Sequence, residues 1–313
     1  MQDRFEDLRT FVALAETRSF GAAGRRLGIA KSAVSRRLHE LEDRLATRLV
    51  NRTTRRLSLT EAGTELLQRS VRLLEELYET EASISGNRLK PVGRLRVTGP
   101  MSFGILHLSP VICEFLTLYE GLDVELNLDD RLVDIVGQGY DLAVRISWMK
   151  DSSLVAKRIA PIRHVLCASS SYLENFGVPK TPADLSKHRG ISYSGAERMN
   201  WQFRDPHTGA LRIAQIPCPI TVNNGDAVRE MAIGGYGICA IPSFIVHRAV
   251  AAGQLQVVLS RFQPPPIWLH ALYPSRKHVP SKVRVFIQFL EGRFGKNPYW
   301  DRDIDAAAPT KEQ

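Results

Sequence analysis

Most of the positive charge in this sequence lies in one short stretch. Between residues 25 and 56 ten lysines and arginines accompany three acids, a local net charge of +7, whereas the whole chain of 313 residues carries +9. The ten are Arg25, Arg26, Lys31, Arg36, Arg37, Arg44, Arg48, Arg52, Arg55 and Arg56. Because they fall within a pattern of short helices, they predict a folded surface that neutralises phosphates. A solvated basic face without a partner is the alternative interpretation.

The spacing of apolar residues predicts three helices around these charges. The first begins near Leu8 and has apolar residues at i, i+3, i+4 and i+7. Ser19 is an N-cap for a second helix, which ends near Leu27 with Gly28 as its left-handed stop. After a tight turn, a third helix over residues 32–45 places these residues inward: Val34, Leu38, Leu41 and Leu45. Two helices joined in this way are typical of a helix-turn-helix, whose second helix enters the major groove of DNA.

Residues 49–59 form two short β-like runs around a basic tip, which predicts a wing. The predicted DNA-binding residues are Arg25, Lys31, Ser32, Ser35, Arg36, Arg37, His39, Arg52, Arg55 and Arg56. We expect the wing and the flanks of the third helix to contact phosphates and to make binding salt-dependent. We expect base selection to come from the outer face of the third helix, which carries Ser32, Ser35, Arg36 and His39.

A long helix follows the wing. Thr60 can cap it, and its apolar stripe extends to about Ile84, a length of nearly 40 Å at ~1.5 Å per residue. A rod of this length has too little of its own domain to cover its apolar side, so we predict that it pairs with the same helix of a second subunit. Packing against its own chain is the alternative.

These residues together resemble the signature of LysR-type transcriptional regulators. The matching positions run from Leu8 to Gly63 and include Phe11, Ser19-Phe20, Ala22-Ala23, Leu27, Ser32-Ala33-Val34-Ser35-Arg36, Leu41-Glu42, Leu45, Leu49, Arg52 and Leu59-Thr60-Glu61-Ala62-Gly63. The sequence departs from the family at Val50, where Phe is common, and at Ala30-Lys31, where a hydroxyl residue and Gln or Pro are frequent. The second departure predicts a weakly capped start for the third helix.

The rest of the chain alternates strand-like and helical patterns after a linker at residues 90–93. Such alternation predicts sheets covered by helices on both faces. Residues 93–97, 139–145, 168–173 and 231–242 are similar to the effector-binding domain of the same family. The resemblance implies an α/β chain with a winged helix-turn-helix, a linker helix and a two-lobed, periplasmic-binding-protein-like effector domain.

The implied domains are a DNA-binding domain (1–60), a linker and dimerisation helix (61–91), an effector-binding domain (92–301) and a disordered tail (302–313). Lobe one would contain residues 92–161 and 268–300, and lobe two residues 162–267. A small ligand would lie between the lobes, where strands end and helices begin. The candidate effector-binding residues are Thr98, Pro100, Met101, Ser102, Phe103, Asp129, Arg145, Tyr193 and Asn224. Each of them is equally consistent with an ordinary turn or cap residue.

The chemistry of the effector is left open by opposing charges. Arg145 could bind an anionic ligand with two hydrogen bonds, or form a structural ion pair with Asp141 or another acid. Asp129 and Asp130 favour a ligand that donates hydrogen bonds. An organic or aromatic acid is what the family resemblance implies.

The sequence lacks the motifs of several enzyme classes. Gly234-Gly235-Tyr236-Gly237 follows a helix and precedes a strand, the reverse of a dinucleotide-binding turn, and no G-x-S-x-G, H-E-x-x-H or P-loop motif occurs. The eight histidines are scattered, and the four cysteines lack metal-ligand spacing, so we interpret the cysteines as buried or semi-exposed thiols without a metal. We expect no enzyme activity and no cofactor. A solute-binding protein or an enzyme on a two-lobed scaffold is the rival hypothesis.

The expected partners are a double-stranded operator, a small-molecule effector and further copies of the chain, in a homodimer or homotetramer. RNA polymerase is a further expected partner if the protein is an activator. The N-terminus lacks the apolar stretch of a secretory signal, and no run approaches the ~18 apolar residues of a membrane span. We therefore expect a cytoplasmic protein without a membrane partner.

Overall fold

The computed structural model describes residues 4–52, 57–84, 91–131, 133–147, 154–194, 201–204, 208–262, 264–274 and 279–307. They belong to two compact units, Met1–Lys90 and Pro91–Gln313. Arg55 and Arg56 of the predicted wing lie outside the described residues, as do residues 308–313.

The first unit is a helix-turn-helix followed by a two-stranded wing and a long helix. Its elements are α1 (Arg4–Thr17), α2 (Phe20–Leu27), α3 (Lys31–Leu45), β1 (Val50–Arg52), β2 (Leu57–Leu59) and α4 (Glu61–Ile84). The predicted helix ends are confirmed: Ser19 accepts a hydrogen bond from Ala22 N, Gly28 is left-handed at φ 67°, and Thr60 accepts one from Gly63 N. As predicted, α3 starts without a side-chain cap, because Ala30 occupies that position.

The core of the first unit lies between the first three helices. Phe11, Leu14, Val34, Leu38 and Leu41 are almost fully buried there. The prediction that Leu45 faces inward is wrong, since this side chain is 43% exposed. Leu45 is the last residue of α3, and the inward position one turn earlier belongs to the buried Glu42.

The second unit begins with β3 (Gly93–Gly99), α5 (Met101–Phe103), a π-helical turn (Gly104–Leu108), α6 (Ser109–Leu118) and β4 (Leu122–Leu128). It continues with β5 (Leu142–Ser147), β6 (Leu154–Ile162), β7 (His164–Ala168), α7 (Ser170–Phe176), a 3-10 helix (Pro182–Lys187) and β8 (Gly190–Tyr193). Next come β9 (Gln202–Arg204), β10 (Leu211–Ile213), β11 (Ile220–Val222), α8 (Gly225–Ile233), β12 (Ile238–Pro242) and α9 (Ser243–Ala251). The last elements are β13 (Gln256–Val258), β14 (Ile267–Pro274), α10 (Ser281–Phe294) and α11 (Tyr299–Ala307).

Two mixed sheets divide this unit into two lobes. Within the described residues the strand orders are β4-β3-β5-β14-β6 for the first sheet and β11-β8-β12-β7-β13 for the second. In the first sheet β3 is parallel to β4 and β5, whereas β14 is antiparallel to β5 and β6. The chain passes from the first sheet to the second at Arg163, between β6 and β7, and returns through β14. The predicted fold class, a winged helix-turn-helix with a two-lobed α/β domain, is confirmed.

The second sheet brings two cysteines together. Cys167 of β7 and Cys239 of β12 are directly opposite each other, and their Sγ atoms are 3.6 Å apart as free thiols. Both side chains are buried and Cys218 is half-buried, as expected, but Cys113 is exposed, so the interpretation of all four cysteines as buried or semi-exposed is wrong for Cys113.

The predicted disorder from residue 302 onward is wrong as far as residue 307. Helix α11 covers Tyr299–Ala307 because Trp300 and Ile304, four residues apart, are both buried in the core. Three of its carboxylates also accept hydrogen bonds from other elements: Asp301 from Ser243 at 2.6 Å, Asp303 from His247 at 2.7 Å and Asp305 from Arg163 at 2.7 Å.

One helical stretch among the described residues, Met101–Leu118, is long and apolar enough to cross a membrane by length and composition. The expectation that no run approaches the length of a membrane span is wrong for this stretch. Phe103, Val111 and Phe115 on its inward side are buried in the core of the second unit, which accounts for its apolar composition.

Candidate functional site

The outer face of α3 presents most of the residues predicted to contact DNA. Lys31, Ser32, Arg36 and His39 are exposed, and Ser35 is half-buried between them. They recur at the spacing of one helix face. The Arg36 side chain is 71% exposed, and its contact with the Glu40 carboxylate is long, at 3.9 Å. Its guanidinium is therefore available to an external anion.

Arg37, also predicted to contact DNA, lies on a different face of α3. Its side chain is 27% exposed, and Nη1 donates to the Glu6 carboxylate at 3.0 Å and to the Thr10 hydroxyl at 3.2 Å. Successive helix residues differ by about 100° in direction, so Arg37 faces α1 while Arg36 faces outward. Arg37 thus links two helices of the scaffold.

The other predicted DNA contacts lie at the edges of this face. Arg25 is exposed near the end of α2. Arg52 ends β1, the first strand of the wing, and Arg55 and Arg56 follow it beyond the described residues.

Glu42 belongs to the family signature, but its structural role was not predicted. Its buried carboxylate accepts hydrogen bonds from the backbone N–H groups of Leu49 at 2.8 Å and Val50 at 3.2 Å. It therefore fixes the segment where the wing begins against α3. The available signal was its position, since residue 42 continues the inward i, i+4 series of Val34 and Leu38.

Helix α4 is only partly covered by the first unit. Leu66 and Leu67 near its start pack against the core of that unit. Further along, Leu73 is 51% exposed and Tyr78 is 63% exposed. The distal part of α4 thus has apolar side chains in contact with solvent.

Arg145 and Thr98 form a buried polar pair at the ends of two strands in lobe one. Arg145 Nη2 donates to Thr98 Oγ1 at 3.1 Å, and Nη1 donates to the Val144 carbonyl at 3.2 Å. Burial lowers the pKa of Arg145, and the negative charges of Asp129 and Asp130 oppose this effect. The alternative partner Asp141 instead forms an ion pair with Lys282 at 3.2 Å.

Two acids follow β4 beside this pair. Asp129 accepts hydrogen bonds from Arg131, chiefly from its guanidinium, and these lower the pKa of Asp129 to about 2. Asp130 accepts a hydrogen bond from the backbone N–H of Met101 at 2.9 Å, in the position of a cap for α5. Both carboxylates therefore already have partners within lobe one.

The segment from Pro100 to Phe103 contains residues with different roles. Pro100 is the N-cap residue of α5, and Met101 is half-buried beside it. The buried Ser102 donates its hydroxyl to Asp226 of lobe two at 2.7 Å. Phe103 does not face this boundary and corrects the prediction, because it lies fully buried among the rings of Phe244, Phe294 and Trp300.

Lobe two contributes Tyr193 and Asn224 to the same boundary. Tyr193 ends β8, and burial raises its pKa to about 12, with a smaller contribution from the charge of Asp130 in lobe one. Asn224 caps α8, because its Oδ1 accepts a hydrogen bond from Ala227 N at 3.0 Å. Ser102, Asp226, Tyr193 and Asp130 thus bring the two lobes together where strands end and helices begin.

Family models match both units of this chain. Residues 5–64 match the bacterial regulatory helix-turn-helix protein of the lysR family, and residues 89–295 match the LysR substrate binding domain. The chain belongs to the LysR family. It is a DNA-binding transcriptional regulator with an effector-binding domain, and its family consists of regulators rather than enzymes.

Similar proteins include both curated relatives and solved structures. The HTH-type transcriptional regulator PtxR of Pseudomonas aeruginosa is 36% identical over 293 residues, which is 93% of this chain and 93% of PtxR. The HTH-type transcriptional activator AaeR of Escherichia coli is 31% identical and covers 93% of this chain and 94% of AaeR. CrgA, a LysR-type regulator from Neisseria meningitidis, is 30% identical with a TM-score of 0.59, covering 93% of this chain and 99% of CrgA.

Proposed function

We propose that this LysR-type regulator reads a specific operator through the outer face of α3 and changes its DNA binding when a small molecule enters between its lobes. The observation that carries the first part is the exposed set Lys31, Ser32, Ser35, Arg36 and His39 on one helix face. Side chains of this kind at the start of a recognition helix reach base edges, while arginines at its edges reach phosphates.

The proposed effector site lies between the lobes and is lined by Thr98, Pro100, Met101, Ser102, Asp129, Arg145, Tyr193 and Asn224. Arg145 supports a ligand with an anionic group, because two of its five N–H donors are used within the protein. An organic or aromatic acid fits this chemistry. An effector that binds one arrangement of the lobes more tightly than another would favour that arrangement, and this change would alter the spacing of the DNA-binding units.

The working assembly is a homodimer or homotetramer in the cytoplasm. Leu73 and Tyr78 on α4 support it, since a second copy of α4 would cover these exposed apolar side chains. Two α3 helices would then contact an operator with two-fold symmetry. RNA polymerase becomes a further partner if the regulator activates transcription.

The test of this function is selection of duplexes from a random DNA pool by the full chain, followed by gel shifts on the enriched sequence. We expect an enriched motif with two-fold symmetry, and an affinity that falls steeply as salt concentration rises. A pool without enrichment, together with a flat salt response, would favour the rival function of a solute-binding protein.

A further inference from the structure

The start of α8 in lobe two approaches the start of α5 in lobe one very closely. Ser102 Oγ donates to Asp226 Oδ2 at 2.7 Å, a contact between residues far apart in the sequence. A Cβ atom on Gly225 would lie 3.4 Å from Ser102 Oγ and 2.5 Å from Cδ1, the terminal methyl of Ile245, so side chains of both lobes pack closely around this glycine. This direct contact holds the two lobes together at the proposed effector site.

The second carboxylate oxygen of Asp226 contacts the guanidinium of Arg229. Oδ1 accepts a hydrogen bond from Arg229 Nη1 at 2.8 Å, and the same nitrogen donates to the Ile245 carbonyl at 3.3 Å. The Asp226 carboxylate is thus bound between a hydroxyl donor from one lobe and a guanidinium from the other. These are the donors that a carboxylate ligand requires, and charge-assisted hydrogen bonds of this kind are strong.

We propose that Asp226 is a latch that an anionic effector displaces. Its carboxylate joins the lobes through Ser102, and a ligand carboxylate replaces it on Ser102 and Arg229. This inference rests on the proposed function, in which the effector binds between the lobes. Because ligand and latch compete for the same donors, the latch lowers the apparent affinity for the effector and couples its binding to lobe movement.

The chain offers a matched control for the charge of Asp226. Glu230 accepts hydrogen bonds from Nε and Nη2 of the same Arg229, at 3.0 and 2.9 Å, and its side chain is exposed. Glu230→Gln removes one negative charge and weakens one partner of Arg229, but it leaves the bond between Ser102 and Asp226 in place. This variant therefore shows how much of any gain in affinity comes from the loss of one negative charge alone, with the latch still closed.

The experiment measures binding of acetate and benzoate, and of their neutral amides acetamide and benzamide, to the full chain by calorimetry. For Asp226→Asn we expect the Kd of the two carboxylates to fall by about tenfold or more, a difference of about 1.4 kcal/mol, with the amides unchanged. For Glu230→Gln we expect a change of less than about threefold. Equal gains in the two variants, or no carboxylate binding to Asp226→Asn, would overturn the proposal.

Ser102→Ala provides a second variant that opens the latch without removing a charge. We expect faster hydrogen exchange at the start of α8 in this variant, as in Asp226→Asn, but no gain in carboxylate affinity, since a ligand donor is lost. The latch would also be contradicted if both variants showed the same hydrogen-exchange protection at the start of α8 as the unmodified regulator. DNA selection by the unmodified chain tests the proposed function separately, because it does not depend on Asp226.

Discussion

The carboxylate of Glu42 accepts a hydrogen bond from the backbone N–H of Leu49 at 2.8 Å, so α3 determines where the wing begins. The bond from Val50 N strengthens this link, and both donors are buried. Helix and wing are therefore positioned by one side chain, on the inward face opposite the proposed DNA-reading residues. Disturbing Glu42 should affect DNA binding without touching a residue that contacts DNA.

Replacement of Glu42 by alanine leaves two buried N–H donors without their acceptor. We expect a loss of about 2–6 kcal/mol in the free energy of unfolding of the first unit, since each of the two unsatisfied donors costs about 1–3 kcal/mol. Thermal and urea unfolding of the full chain will measure it. Glu40→Ala is the matched control, because its long contact with Arg36 predicts a change within about 0.5 kcal/mol. Equal losses in the two variants would contradict the role of Glu42.

Glycine is required at position 63 because the backbone of Leu49, where the wing begins, passes very close to it. A Cβ on Gly63 would lie 2.0 Å from the Leu49 carbonyl oxygen, and this backbone atom cannot move without shifting the wing. We expect Gly63→Ala to destabilise the first unit by about 1–3 kcal/mol and to weaken operator binding. Gly292→Ala in α10 has open space around its Cβ and should stabilise its helix by about 0.5–1 kcal/mol. Unchanged unfolding of Gly63→Ala would show that the wing accommodates the methyl group.

Local signals in the sequence predicted the helices of the first unit and their ends. The N-caps Ser19 and Thr60 bond to backbone groups three residues further along the chain, and Gly28 ends its own helix. Such partners can be inferred from spacing. The apolar periodicity placed the helices for the same reason. Leu45 is an exception to this periodicity. It is the last residue of α3, and no further helical turn follows it to continue the buried face.

The sequence indicated which segments precede helices in the second unit, but not which side chains join the lobes. The turn after β3 indicated that residues 98–103 lie near helix starts, yet it did not distinguish Ser102, which faces lobe two, from Phe103, which is buried. Asp226 was not among the candidate residues, since its partner Ser102 is 124 residues away. Contacts of this kind arise from the packing of two sheets, which no local pattern records.

Arg36 and Arg37 are adjacent in sequence but should differ in function. Arg36→Ala removes an exposed guanidinium, so we expect weaker operator binding with unchanged unfolding, and a salt slope reduced by about 1 if Arg36 contacts a phosphate. Arg37→Ala removes the partner of Glu6 and Thr10, so we expect a loss of stability of up to about 1 kcal/mol. Gel shifts over a salt series and thermal unfolding will separate the two effects. The opposite pattern would mean that the face of α3 that reads DNA has been misassigned.

His107 should make the stability of the second unit depend on pH. Burial lowers its pKa from 6.5 to about 4, and the neutral ring bonds to Tyr299 and to the Phe244 carbonyl. Between these two values the unfolded chain binds the proton and the folded chain does not, so stability is complete above pH 6.5 and falls as the pH decreases toward 4. His107 contributes at most about 1.4 kcal/mol per pH unit to the change in the free energy of unfolding. His107→Gln should be less stable at pH 7 but flatter over this window, and the gap in melting temperature should narrow as the pH falls. Parallel curves for the two proteins would show that His107 is not responsible for the pH dependence.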